Sequence, residues 1–304
     1  MPLPRIYTDE TAAREHLEAL LWPEGPVCPH CQNADPERIH RLQGKSTRPG
    51  LLKCRECEKP FSVTVGTVFE RSKVPLNQWV YATHLLTASK KGISSHQLSR
   101  MLGVSYKTAW FMTHRIREAM RPAELTPMGG EGAVIEADET FVGKLEGDEG
   151  TAHGGWAHKN VVLTLIERGG RARSFHINST TIADIVPIVR TNVRRESKLM
   201  TDEAQHYKAV RNEFAPGSGA VVHRNEEYVR GEIHTNTVEG YYSIFKRGMK
   251  GIYQHCSEKH LHRYLSEFDF RYSNRIALGV DDAMRAAKAL EGIKGKRLTY
   301  RRPH

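Results

Sequence analysis

Apolar positions recur with two different periods along the chain, and the change of period near residue 130 divides it. Before that point they fall three and four residues apart, the spacing of a single helix face. TDETAAREHLEALL (8–21) predicts a helix with Thr8 as N-cap and Leu17, Leu20 and Leu21 on one side, ended by Trp22-Pro23. PLNQWVYATHLLTA (75–88) predicts a second, opened by proline and carrying Trp79, Leu85 and Leu86 at helical spacing. In KKGISSHQLSRMLGVSYKTAWFMTHRIREAM (90–120), Ser94 or Ser95 caps a short helix, and Leu98, Met101 and Leu102 face inward. Gly103 makes the turn, and Ser105 opens a longer helix that would expose Tyr106, Lys107, Thr108 and, further on, His114 and Arg115. This is the helix-turn-helix pattern, although a plain helical hairpin has the same periodicity.

RPAELTPMGGEG (121–132) reads as a linker. Beyond it the period shortens: AVIEADETFVGKL, NVVLTLIE and RSFHIN predict three strands, TIADIVPIVRTNV a helix despite Pro187, KLMTD a strand, AQHYKAVRNEF a helix and GAVVHR a strand. With the helix that follows, the order β-β-β-α-β-α-β-α is that of a ribonuclease-H-like α/β domain with a mixed five-stranded sheet flanked by helices. HLHRYLSEFDFRYSNR (260–275) reads as an amphipathic helix, and KGKRLTYRRPH (294–304) as a tail that is disordered or DNA-bound.

Between the first two helices stand VCPHCQ (27–32) and LKCRECEKPFSV (52–63), two Cys-x-x-Cys pairs separated by 22 residues. A thioredoxin-like redox role needs one such pair beside a βαβ pattern, and two disulfides would be unusual in a reducing compartment. Thiolates at i and i+3 on two tight turns instead suit one tetrahedral zinc ion held by Cys28, Cys31, Cys54 and Cys57. His30 would face solvent, FSVTVGTVF (61–69) alternates like a strand pair, and Cys256 stands apart. A closed four-thiolate shell leaves no open coordination position, so this zinc ribbon would bind or brace and do no chemistry. The expected organisation is an N-terminal helix (1–23), a zinc ribbon (24–72), a helix-turn-helix region (73–122), the α/β domain (131–278), and a terminal helix with a basic tail (279–304).

Charge adds a partner. The net charge is +10, and residues 240–304 alone hold 14 Lys and Arg against 6 Asp and Glu, a bias that favours a polyanion. No apolar run of about 18 residues and no signal-peptide pattern occurs, so a cytoplasmic, nucleoid-associated protein is expected.

Three acids stand out by position: Asp138 in the first strand of the α/β domain, Asp202 at the end of a later strand, and Glu239 in the helix NTVEGYYSIFKRGMKG. Carboxylates on strand ends and a facing helix can converge on hard cations. Two such ions about 3.5–4 Å apart can activate an attacking hydroxyl and stabilise a leaving oxygen. Glu136, Glu139, Glu203 and Glu232 lie nearby and compete as alternatives; by the period of 2, Glu136 shares a face with Asp138 and Glu139 does not. On the Glu239 helix, Tyr241, Tyr242, Phe245 and Tyr253 interleave with Lys246, Arg247 and Lys250, offering either stacking surfaces for DNA or core.

CPHC followed by CxxC, the helix-turn-helix, ADETFVGK, TDE at a strand end, HTNTVEGYYSIFKRGMKGIYQH and HLHRYLSEFDFRYSNR together resemble the bacterial insertion-sequence transposases with an N-terminal zinc ribbon and a DDE-type catalytic domain. The similarity runs over essentially the whole chain and is most specific over 233–275. It implies an integrase-like fold, two Mg2+ or Mn2+ ions per active site beside one structural Zn2+, and cutting and joining of DNA at element ends. The implied catalytic acids are Asp138, Asp202 and Glu239, with Asn236 competing for the third place and His234 as a further accessory. Members often carry a lysine seven residues after the third acid, here Lys246, which on a helix shares the face of Glu239 and can hold a phosphate. The implied partners are double-stranded DNA, as terminal inverted repeats and as target, and a second copy of the chain. A catalytically inactive DNA-binding regulator and a metal nuclease that never joins are the competing readings.

Overall fold

The computed structural model describes residues 2–145, 156, 158–221 and 234–299. The chain forms two compact units, Met1–Arg121 with Asp281–His304, and Pro122–Val280.

The first unit opens with α1 (Arg5–Thr8) and α2 (Glu10–Leu21) rather than one continuous helix. Asp9, in an extended conformation, breaks the two apart and caps α2 by accepting a hydrogen bond from the Ala12 amide at 2.7 Å, the role expected of Thr8. An antiparallel sheet of β1 (Ile39–Arg41), β2 (Leu52–Cys54) and β3 (Pro60–Phe61) follows. The strand pair expected over 61–69 is absent. Past Phe61 the backbone folds through turns, with Val65 N bonded to Ser62 O and Thr67 N to Thr64 O, and Gly66 sits at φ +73°. Those turns bury Val63, Val68 and Phe69, so alternating apolar residues serve a compact loop here. The helices α3 (Leu76–Ala88), α4 (Ser95–Leu102) and α5 (Tyr106–Met120) complete this stretch.

The second unit is a mixed five-stranded sheet. Its strands are β4 (Val134–Val142), β5 (Asn160–Glu167), β6 (Ala172–Ile177), β7 (Lys198–Asp202) and β8 (Gly219–Val221), in spatial order β6-β5-β4-β7-β8. The first three pair antiparallel, whereas β7 runs parallel to both β4 and β8. Helix α6 (Ile182–Asn192) precedes β7, and α7 (Gln205–Lys208), with a 3-10 turn at Arg211–Glu213, replaces the longer helix expected over 204–214. One sheet face joins Ile135, Ala137, Leu163, Leu165 and Leu199 to Ile185, Val186 and Val189 of α6 and to Tyr207. On the other, Val162 and Ile166 meet α8 (Asn236–Gly248) and α9 (Glu258–Ser273) through Val238, Tyr241, Tyr242, Phe245, Leu261, Leu265 and Phe268. A two-sided apolar load explains why β5 reads as a nearly continuous hydrophobic run.

The chain then returns to the first unit as α10 (Asp282–Glu291), which packs on α3. Residues 294–299, the described part of the tail expected to be disordered or DNA-bound, are built into this unit together with Gly292 and Ile293 before them. Ile293 O accepts from Val68 N at 3.2 Å, Gly295 N donates to Gly66 O at 2.9 Å, and Lys296 Nζ donates to Ala119 O at 2.9 Å. Residues 300–304 lie outside the described residues. Gly292 is where this returning segment crosses the end of α5: a Cβ there would sit 2.3 Å from the Ala119 carbonyl oxygen. Gly292→Ala is expected to cost about 1–3 kcal/mol by overpacking against backbone. It should lower the melting temperature of the full chain by roughly 2–8 °C, read by calorimetry.

Among the described residues no helix is long and apolar enough to cross a membrane.

Candidate active site

Register brings the first two acids together. In the parallel β4–β7 ladder Glu136 faces Met200, so two residues further along each strand Asp138 lies beside Asp202 on the same face of the sheet. Carboxylate oxygens of Asp138, Asp202 and Glu139 all lie within 4.8 Å of one another. Glu139 projects from the opposite face, as the period of 2 has it, and bonds Tyr207 of that face's core, yet its carboxylate reaches the cluster. Strand β4 runs on to Val142, past its last residue paired with β7, and at that open edge the longer glutamate side chain joins the cluster. It is held there by the Tyr207 hydroxyl, which donates to its Oε1, and His206 Nε2 lies 3.2 Å from the same oxygen.

The backbone amides of Glu139 and Ala204 donate to Asp138 and Asp202 at 2.8 and 3.0 Å, and the Tyr242 hydroxyl donates to the Asp138 carbonyl at 2.5 Å. Burial pushes the Asp138 carboxyl up to about 7, and the negative charges of Glu139, Asp202 and Glu239 push it the same way against the Glu139 amide bond. Crowded oxygen donors with too little counter-charge are the donor set of a hard divalent cation, so these residues fit Mg2+ or Mn2+.

Glu239 stands on the exposed face of the first turn of α8. Its charge reaches Asp138, but its carboxylate lies outside the 4.8 Å cluster and accepts from Thr235 Oγ1 at 3.1 Å. Ser243, Lys246, Arg247 and Lys250 continue the exposed stripe, with the Arg247 guanidinium bonded back to Ser243, and Asn236 is exposed at the start of the helix. Tyr241, Tyr242 and Phe245 are buried, and the half-buried Tyr253 packs against their cluster, so this stripe of aromatics is core and offers no stacking surface. Half-buried His234 receives a hydrogen bond from Arg168 at 3.0 Å and lies 3.3 Å from Glu136.

The cysteines form a second, separate cluster. Cys28 and Cys57 sulfurs are 3.6 Å apart, those of Cys31 and Cys54 are 3.7 Å apart, and all four lie within 4.8 Å. A tetrahedron with metal–sulfur bonds near ~2.3 Å has edges of roughly 3.8 Å, so the four thiolates fit zinc. The two knuckles repeat one backbone path. Cys28 N bonds Asn33 O as Cys54 N bonds Lys59 O, and the residues after each pair, Gln32 and Glu58, take φ values of +62° and +57°. Non-glycine residues rarely adopt that conformation, and two matched instances follow from turning both sulfurs of each pair to one point.

Residues 129–273 match the model of the ISXO2-like transposase domain, and residues 8–60 that of the transposase zinc-ribbon domain. Together the two cover more than half of the chain. The chain belongs to the IS1595-type insertion-sequence transposases. It is also 27% identical, over 89% of its own length and 93% of the relative's, to an uncharacterized protein in the transposable element ISH50 of Halobacterium salinarum.

Within this transposase-family chain, α4 and α5 adopt the expected local geometry. Ser94 and Ser105 cap them, each hydroxyl accepting an amide hydrogen bond at 3.1 Å, and Gly103 turns between them at φ +66°. Tyr106 and Lys107 are exposed, Thr108 is half-buried, and the Tyr106 ring stacks on His96 at 4.1 Å. His114 and Arg115 correct the sequence reading: both are buried. The Arg115 guanidinium donates to the carbonyls of Leu298 and Glu70 at 3.1 and 3.2 Å and lies over Phe111. The returning C-terminal segment covers that half of α5, which local periodicity could not foresee.

Proposed function

We propose that this chain is a metal-dependent DNA transposase that cuts its element's ends and joins the freed 3′-hydroxyls to target DNA. The observation that carries the proposal is the meeting of Asp138, midway along β4, with Asp202, at the end of the neighbouring parallel strand β7, inside the matched transposase domain. The mixed five-stranded sheet around them, in the order β6-β5-β4-β7-β8, supports the reading of a ribonuclease-H-like domain.

Asp138, Asp202 and Glu239 would hold two Mg2+ or Mn2+ ions, with Glu239 reaching them from α8. Such ions lower the pKa of a bound water or hydroxyl and neutralise the leaving oxygen of an in-line displacement. The chain's own part is orientation. Amides fix the two aspartates, Tyr207 restrains Glu139, and Lys246, Arg247 and Lys250 present phosphate-binding charge along the Glu239 face. The zinc ribbon and the α4–α5 pair, with Tyr106, Lys107 and Thr108 at the start of α5, would recognise the terminal repeats as a helix-turn-helix. Joining two ends in one event calls for at least two copies on DNA.

Substitution separates the third ligand from the acid beside the first. Glu239→Gln is expected to lower end cleavage in Mg2+ by about 10²-fold or more. Glu139→Gln, which keeps the shape and a hydrogen-bonding partner for Tyr207, should lower it by about tenfold or less. The reverse order in a labelled-duplex cleavage assay would move the third ligand to Glu139.

A further inference from the structure

We propose that Glu136 is the positioning residue that locks the Glu239 helix to the acidic cluster; the inference rests on the reading of Glu239 as the third metal-binding carboxylate. Glu136 lies in β4 two residues before Asp138 and is fully buried. A buried carboxylate is costly unless its oxygens are satisfied, and these are. Its Oε2 accepts from the amides of Thr237 at 2.8 Å and Val238 at 3.0 Å, and its Oε1 accepts from Thr237 Oγ1 at 2.8 Å and Arg168 Nε at 2.6 Å.

Those two amides are among the first of α8, the groups a helix leaves without intrahelical partners. Local sequence does not supply the usual remedy. Thr235, at the N-cap, makes no capping bond and turns its hydroxyl to Glu239 at 3.1 Å. A strand carboxylate caps the helix instead, and an anion at a helix N-terminus is favourable in its own right. The Arg168 guanidinium closes the arrangement by donating to the His234 carbonyl at 2.8 Å, just before the helix.

The outcome is a short lever with few free torsions. Asp138 is two residues from Glu136 along one strand, Glu239 is one residue from Val238 along the helix, and the carboxylate joins them. One turn further on, Tyr242 ties the same helix to the Asp138 carbonyl. Metal ligands must be held to within about 0.5 Å, so this joint decides whether Glu239 meets the cations that Asp138 and Asp202 hold.

The substitution Glu136→Gln keeps the side-chain volume but leaves one acceptor oxygen, so the variant must release either the helix amides or the Arg168–Thr237 side. In the full-length protein, Mn2+ titration by calorimetry should show Glu136→Gln binding about 10- to 100-fold more weakly than wild type, with terminal-repeat binding unchanged. Because Glu136 acts through Glu239, the double variant E136Q/E239Q should bind Mn2+ no more than about threefold more weakly than E239Q alone. Wild-type affinity in a folded E136Q, or full additivity of the two losses, would overturn the proposal. Should E136Q fail to fold, Thr237→Val gives the answer: it removes one of the four bonds, and a loss of at least about threefold that vanishes in the E239Q background is expected. Wild-type affinity in T237V would overturn the proposal. If E239Q itself binds Mn2+ as wild type does, the Glu239 assignment fails and the Glu136 role falls with it. If E239Q weakens binding and E136Q does not, only the Glu136 role fails.

Discussion

Asp138→Asn is expected to lower strand cleavage in Mg2+ by a factor on the order of 10³ while leaving binding of the terminal repeats within about twofold of wild type. The asymmetry follows from where Asp138 stands. Its carboxylate is part of the oxygen cluster with Asp202 and Glu139, whereas the α4–α5 pair and the zinc ribbon lie in the other unit. Asparagine keeps the shape but brings no negative charge to a cation.

The same substitution has an effect of opposite sign on the metal-free protein. The Asp138 carboxyl is pushed up to about 7, first by burial and then by its acidic neighbours. A carboxyl raised in the folded state contributes full stability below its ordinary value near 4, and the contribution is lost as the pH rises toward 7. Above pH 7 without metal, Asp138→Asn should therefore raise the melting temperature by a few degrees. Metal binding requires the proton to leave, so the wild-type affinity for Mn2+ should fall about tenfold per pH unit below 7, a dependence the variant loses. Unchanged cleavage in Mg2+ would remove Asp138 from the reaction. A lower melting temperature would mean that the aspartate's role is structural packing.

The second large effect is expected at the cysteines. Cys54→Ser, or zinc removal by a strong chelator, should abolish terminal-repeat binding, a loss of more than about 100-fold, while the second unit keeps its fold. Cys28 and Cys54 are fully buried, and with Ile39, Leu52 and Phe61 they form the small buried cluster around the knuckles. With so little apolar mass the metal must supply most of the stability, an apparent contribution of about 10–16 kcal/mol in comparable small zinc modules. Zinc release followed with a chromophoric chelator, together with a gel shift, checks it. Stoichiometric zinc loss with undiminished DNA binding would contradict the assigned role of the ribbon.

Features set by short-range chemistry were legible in the sequence. Cysteine spacing gave the ribbon because two residues of chain fix the distance between two sulfurs. The alternation of 133–145 and the apolar run of 160–167 gave the central strands, and Asp138 within one strand and Asp202 at the end of another were enough to pair them. Features set by chain segments far apart were not legible. Arg115 looked exposed because the segment that covers it, at Leu298, comes from the far end of the chain. Tyr241, Tyr242 and Phe245 resembled a stacking surface because their partners lie on α9 and β5. Glu139 lies on the opposite face as period 2 has it, but beyond the last β4–β7 pair its longer side chain reaches the cluster, which no strand pattern reveals. Glu136 seemed an alternative to Asp138 because nothing local reveals that its oxygens are taken by a helix that begins 100 residues later. One signal was available: a glutamate on an apolar strand face, two residues from the first acid, needs buried partners, and the uncapped start of the Glu239 helix offers them.

The most direct measurement is an end-joining assay with the purified wild-type chain. A labelled duplex carrying the inverted repeats that flank the gene is incubated with supercoiled target plasmid, in Mg2+ and in EDTA. Cleaved 3′-hydroxyl ends and plasmid-joined product in Mg2+, both absent in EDTA and with Asp138→Asn, are the expected result. Cleaved ends that are never joined, or joined product that forms in EDTA, would contradict a single carboxylate centre at Asp138 and Asp202 that both cuts and joins DNA.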